Sequence, residues 1–145
     1  MIKNYFPHNR YELLELVKNK SIYLGDICTS AITDMGNLFL RAKRKNFSGI
    51  ESWDTSNVIT MEDMFAECTR FNIPIRCWNV NSIENMESMF NGAKIFNQSL
   101  DKWRPVNLKN QNHMFYNCKS FTYSLNDKEK CEQTICHTII FSMKQ

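Results

Sequence analysis

Apolar side chains recur along this chain at a fixed interval of 25 residues. Trp53, Trp78 and Trp103 keep that register, as do Met64, Met89 and Met114. So do Phe65, Phe90 and Phe115, and again Phe71, Phe96 and Phe121. Val58, Ile83 and Leu108 follow it, with Cys68, Ala93 and Cys118 at a small-residue position. A degenerate copy lies upstream, where Ile32, Met35, Leu38, Phe39 and Ala42 match Val58, Met61, Met64, Phe65 and Cys68 at an offset of 26. Ile27 stands there in place of the tryptophan, and two extra residues separate Ala42 from Phe47. Self-similarity at such a period marks stacked repeats, because one unit cannot bury its own apolar face. The expected repeats are 22–47, 48–71, 72–96 and 97–125.

Each repeat carries a second, shorter period. Met61, Met64, Phe65 and Cys68 fall at i, i+3, i+4 and i+7, one face of a helix. Asp34, Thr60, Asn85 and Asn110 precede these segments and are residue types favoured as N-caps. Thr60 with Asp63 resembles a capping box, Asp replacing the usual Glu. The spacing therefore predicts short helices from near residues 35, 61, 86 and 111, with extended chain and turns over 71–78 and 96–103. Helices this short persist in water only when packed on their neighbours. The expected core is Trp53, Met61, Met64, Phe65, Phe71, Trp78, Met86, Met89, Phe90, Phe96, Trp103, Met114, Phe115 and Phe121. Upstream, Leu13, Leu14, Leu16 and Val17 mark a helix over Tyr11–Lys18 with Asn9 as its cap, so residues 1–21 read as a capping region. Residues 126–145 read as a C-terminal cap or tail.

The stretches 47–66, 71–104 and 112–122 combine a tryptophan, the D-T-S-N-V run of Asp54–Val58, the M-E-D-M-F run of Met61–Phe65 and a following Phe-Asn pair. In this they resemble the tandem repeat of bacterial BspA-like surface proteins, a domain of unknown function also found in mycoplasma lipoproteins. The resemblance covers residues 22–125; the first copy lacks Trp, and the last has Gln111 for the leading Met and Pro105 in its loop. It implies membership of the leucine-rich-repeat superfamily and a role in binding proteins or surfaces, with no catalytic residues to carry over. The expected fold is thus a short, single-domain α/β solenoid, leucine-rich-repeat-like, with a helical N-terminal cap and a C-terminal cap.

Composition narrows the chemistry. A chain of 145 residues with 12% aromatic content fits one folded domain and not a disordered one. A formal charge of +3 weighs against a general polyanion binder. No stretch approaches the ~18 apolar residues of a membrane span, and Met1–Arg10 lacks a signal-peptide core. The expected location is the cytoplasm, or a cell surface if the chain is a piece of a longer one. Seventeen asparagines are needed structurally, since Asn bonds readily to nearby backbone in turns.

Candidate sites are few. Cys131, Cys136 and His137 lack the second ligand pair that a tetrahedral zinc site requires. Cys68 and Cys118, two repeats apart, lie about 10 Å from one another if repeats stack at strand spacing, beyond disulfide reach. The histidines, His8, His113 and His137, adjoin no nucleophile motif, and four scattered glycines build no phosphate loop. Neither a cofactor, a metal nor catalysis is expected. The basic run Arg41, Lys43, Arg44 and Lys45 coincides with the two-residue expansion and is expected to project as a loop able to meet phosphates or an acidic protein face. Glu62, Asp63 and Glu87 vary in charge between repeats and form the other candidate binding set. The reading is a non-enzymatic module that binds another protein, with nucleic acid reached only through that partner or the 41–45 cluster. Two alternatives are an intracellular inhibitor or effector, of the kind a mobile element encodes, acting on a nucleic-acid-handling host protein, and a fragment of a surface adhesin.

Overall fold

The computed structural model describes residues 2–122. Helix α1, Arg10–Lys18, is the one α-helix among them. Asn9 caps it: its side chain accepts from the Glu12 N–H, and the Glu12 carboxylate accepts from the His8 N–H in return. Leu13 and Val17 are its buried face. Two single-turn 3-10 helices, Leu24–Asp26 and Ile50–Ser52, complete the helical content. No sheet forms among the described residues, only isolated parallel bridges: Tyr5 with Ile27, then Asp34 to Thr60, Thr60 to Asn85 and Asn85 to Asn110. Those last three join equivalent residues of successive repeats.

The short helices expected near 35, 61, 86 and 111 are not formed, and the hydrogen bonds say why. From Met61 to Cys68, backbone N–H groups alternate in destination. Those of Met61, Asp63, Phe65 and Glu67 donate to the carbonyls of Asn85, Glu87, Met89 and Asn91 in the next repeat. Those of Met64, Ala66 and Cys68 donate three residues back, to Met61, Asp63 and Phe65. An α-helix would send every N–H back along its own axis. The alternation follows from left-handed backbone at every fourth residue: Asn37 and Arg41, Asp63 and Glu67, Ser88 and Gly92, His113 and Asn117. Such residues cost about 1–2 kcal/mol each outside glycine, and the bonds to the adjacent repeat offset that cost. The same pattern links Met35–Arg41 to Thr60–Ala66, and Met86–Gly92 to Asn110–Tyr116.

The expected N-caps therefore do a different job. Asp34, Thr60, Asn85 and Asn110 accept through their side chains from the N–H two residues on, closing one tight turn each. The Thr60–Asp63 capping box is absent, because Asp63 is left-handed and its N–H serves Glu87.

The fourteen expected core residues are all buried. Phe39, Phe65, Phe90 and Phe115 form one ring ladder, with centroids 5.5, 5.7 and 5.5 Å apart and planes within 9°. Phe71, Phe96 and Phe121 form a second, while Phe47 meets Phe71 edge-on. Each tryptophan adds a polar tie as well as bulk. The indole N–H groups of Trp53, Trp78 and Trp103 donate to Leu24, Ile50 and Ile75 at 2.8, 3.0 and 3.1 Å. Those acceptors lie in the preceding repeat, so each indole fixes register between two units.

Asparagine side chains do the same at the surface. Asn57 and Asn107 donate to the Ser30 and Asn81 carbonyls, and Asn72 and Asn97 accept from the Asn97 and Thr122 N–H groups. Equivalent residues thus meet directly along the described repeats. The expected C-terminal cap, 126–145, and the end of the last repeat lie outside the described residues. No helix among the described residues is long and apolar enough to cross a membrane.

Candidate interaction surface

The two-residue expansion of the first repeat places its four basic residues in three different situations. Arg41 is exposed and left-handed, and its guanidinium pairs with Glu67 of the next repeat at 2.8 Å. That pairing holds the Glu67 carboxyl below its ordinary value. Lys43 and Lys45 are exposed. Arg44 is buried, at 6% exposure, and is not a surface ligand-binding residue. Its guanidinium donates to the carbonyls of Val17, Asn19, Ile22 and Asn46. Val17 is in the last turn of α1, whose final carbonyls have no partner within the helix. Arg44 caps that end and turns the loop inward at one point, so its two neighbours turn outward. Burial pulls its pKa down, yet a guanidinium stays charged.

Around this loop the surface is concave. A groove of about 560 Å³ runs between Arg41, Lys43 and Lys45 on one side and Glu67, Thr69 and Arg70 on the other. A second, of about 360 Å³, continues toward α1 past Leu40, Lys18 and Lys20. Arg70 was missed by reading the basic run alone. The available signal was register: Arg70 follows Cys68 at the same distance as Arg44 follows Ala42, and Lys43, Thr69, Lys94 and Lys119 each follow the small residue of their own repeat. Lys94 and Lys119 are exposed, as Lys43 is. The basic candidate is thus a corner that continues from repeat to repeat.

The acidic candidates lie at the other end of the same segments. Glu62 and Glu87 are half-buried and accept from the side-chain amides of Asn85 and Asn110, at 3.2 and 2.7 Å. Asp63 is half-buried, and burial first, then the nearby Glu87 charge, raise its carboxyl above the ordinary value. The Glu62 and Glu87 carboxylates thus join repeats. Two further pairs cross the same junctions, Arg76 with Asp101 and Lys109 with Glu84.

The thiols of Cys28, Cys68, Cys77 and Cys118 are free. Burial pushes Cys68 and Cys118 up to about 12, removing thiolate chemistry from both. At Cys28 the Ser30 hydroxyl, 3.2 Å away, lowers the pKa. Among the described residues, no group of three His, Cys, Asp or Glu side chains is placed to hold a metal. Cys131, Cys136 and His137 lie outside the described residues.

A family model described as "Mycoplasma protein of unknown function, DUF285" matches residues 10–135. The chain belongs to the DUF285 family. The DUF285 match begins at the first residue of α1 and takes in the basic corner and every repeat junction described above. No curated protein and no solved structure matches the chain. DUF285 is an uncharacterised domain, so membership brings a Mycoplasma-type, BspA-like family context and no activity.

Proposed function

We propose that this DUF285 chain is a leucine-rich-repeat-like solenoid that binds another protein and performs no catalysis. The observation that carries the reading is the split between two sets of positions within one register. Inward residues recur from repeat to repeat as Met, Phe and Trp, and their rings stack in line. Outward residues at equivalent places differ: Glu51–Ser52, Arg76–Cys77 and Asp101–Lys102, or Thr69, Lys94 and Lys119. A constant frame with a varied display is how repeat proteins build binding surfaces. The order of the surface is set by short inter-repeat bonds, so a partner meets preformed groups and little ordering entropy opposes binding. α1 serves in this reading as the N-terminal cap, its C-terminal carbonyls sealed by Arg44.

An inhibitor seated in a nucleic-acid channel fits less well, since such a channel is itself basic and would repel Lys43, Lys45 and Arg70. The test is site-specific photocrosslinking in the native cell, with the probe placed in turn at Ser52, Lys45 and Lys102. Discrete protein adducts at one of these positions are expected. Their absence at all three, from a chain shown to be folded, would sink the proposal.

A further inference from the structure

We infer that the basic corner docks an acidic, extended peptide segment of a protein partner, its carboxylates lying on Lys43, Lys45, Arg70 and Lys94; this rests on the protein-binding reading above. Three observations converge on it. First, the loop is pre-ordered. Arg44 is held by four carbonyls, two of them at 2.6 Å, and this leaves Lys43 and Lys45 exposed on either side of one anchor. A loop backbone anchored in this way loses less freedom on binding than a mobile loop, while the two lysine side chains stay free to reach a ligand. Second, these charges are available. Arg41 is committed to Glu67, whereas no ion pair engages Lys43, Lys45, Arg70 or Lys94 among the described residues. Third, the corner has length and direction. Equivalent residues of bridged repeats are separated by about the 4.8 Å spacing of paired strands, so Lys43 to Lys94 spans about 10 Å. Three or four residues of extended chain, at ~3.3 Å each, cover that distance.

Apolar character separates a peptide from other polyanions. Leu40 and Ile95 are exposed, at 39% and 47%. Leu40 lines the groove that leads from Lys43 toward α1, and Ile95 stands in the register position of Arg70. Aliphatic side chains offer a nucleic-acid base no face to stack on. They do suit alternate side chains of an extended peptide. The acidic residues Glu62 and Glu87 on the same segments also weaken the field that a broad, uniformly charged duplex would meet, while a single strand of peptide stays within the corner, where Glu67 is paired with Arg41.

The probe is a fluorescein-labelled peptide of alternating Glu and Leu, followed by anisotropy at low salt. The Glu–Leu peptide is expected to bind and its Gln–Leu counterpart to bind at least tenfold more weakly. Lys43→Glu with Lys45→Glu is expected to lose at least tenfold in affinity. The control pair Lys102→Gln with Lys109→Gln, which places no carboxylate against Glu84, is set against Lys43→Gln with Lys45→Gln at equal net charge and is expected to lose less than threefold. Circular dichroism checks folding, and Lys43→Gln with Lys45→Gln replaces the first pair if reversal unfolds the chain. Absence of Glu–Leu binding, equal losses from the two Gln pairs, or tighter binding of a thymidine oligonucleotide of matched charge each overturns the inference. Protein adducts at Ser52 or Lys102 that persist in the Lys43→Glu, Lys45→Glu chain would leave the protein-binding reading standing while this one falls.

Discussion

Replacing Arg44 by Met separates one residue from a run of four that look alike. Methionine keeps the length of the apolar stem but removes every donor. The Val17 carbonyl is then left buried without its donor, those of Ile22 and Asn46 lose the guanidinium, and that of Asn19 keeps the Ile22 N–H. A buried acceptor without a partner costs ~1–3 kcal/mol. Counting Val17 and Ile22 as the two that water reaches least, and adding ~0.3–1 kcal/mol for a cation removed from a helix C-terminus, gives a gross loss of roughly 2–7 kcal/mol. Relief of the desolvation that lowers the Arg44 pKa offsets part of this. The expected net loss is about 2–4 kcal/mol, in the range for breaking a buried network. Equilibrium urea unfolding followed by the fluorescence of Trp53, Trp78 and Trp103 measures it, and ellipticity at 222 nm reports fraying of α1. Lys43→Met and Lys45→Met, one residue away on each side, should each change stability by less than ~0.5 kcal/mol, as exposed positions do. Salt should leave the Arg44 deficit intact, because buried interactions are little screened. A deficit below ~0.5 kcal/mol, or equal deficits at all three positions, would refute the assignment of Arg44 as an internal cap.

Trp78→Phe should cost ~0.5–1.5 kcal/mol by removing one buried hydrogen bond to the Ile50 carbonyl, which keeps the Trp53 N–H, and Trp78→Ala ~3–5 kcal/mol by adding a cavity; urea midpoints for the two variants check the order. Gly49→Ala should abolish folding, because the backbone is left-handed at φ 97° and an added Cβ would meet the Gly25 amide nitrogen, whereas Gly92→Asn should be tolerated with a loss of about 1–2 kcal/mol, since Asn117 adopts the same conformation at the equivalent place. Arg76 holds the Asp101 carboxyl below its ordinary value, so the pair contributes stability above that value and loses it as pH falls through the lowered pKa. Arg76→Gln should therefore be slightly less stable than the parent near neutral pH, with the gap closing in acid; a gap that widens in acid would contradict the pairing. In a chain carrying Cys131→Ser and Cys136→Ser, a thiol reagent at pH 8 should modify Cys28 and Cys77 while Cys68 and Cys118 react only on unfolding.

The 25-residue register was legible because it is written in large side chains whose positions tolerate few alternatives. The cap and the buried face of α1 were legible for a related reason, being local: Asn9 and Glu12 find each other within one turn. What misled was the spacing of Met61, Met64, Phe65 and Cys68. A helix and a pair of tight turns both bring i, i+3 and i+4 inward, and periodicity alone does not tell them apart. The distinguishing signal was weak but present: Asn37, Asp63, Ser88 and His113 share one register position, and Asn, Asp and His are the residues that best tolerate left-handed backbone. Arg44 was illegible, since three of its four partners lie 22 to 27 residues away on α1 and the turn after it. The basic corner was half legible. Its first loop is contiguous in sequence, but Arg70 and Lys94 join it only once the repeats are placed side by side.

The one-way bonding of the turn segments gives those segments an electrical polarity of their own, opposed by the Ile59, Glu84, Asn85, Lys109 and Asn110 N–H groups just before them, which donate to the preceding repeat. In an ordinary sheet, neighbouring strands trade donors in both directions and the peptide dipoles largely cancel. Here, from Met35 to Gly92, four N–H groups in each repeat point toward the following repeat and none of these four points back. Their dipoles add as they do in an α-helix, but along an axis perpendicular to the chain and with the opposite sense: carbonyl oxygens face the end nearest the N-terminus. At that end the Gly36 carbonyl, equivalent to those of Glu62 and Glu87, receives the Arg10 guanidinium at 2.6 Å. A cation at the negative pole of summed dipoles is what a lysine supplies at the end of a helix. Arg10 therefore terminates the column electrostatically, and a second repeat array could not be added on that side without first displacing a charge.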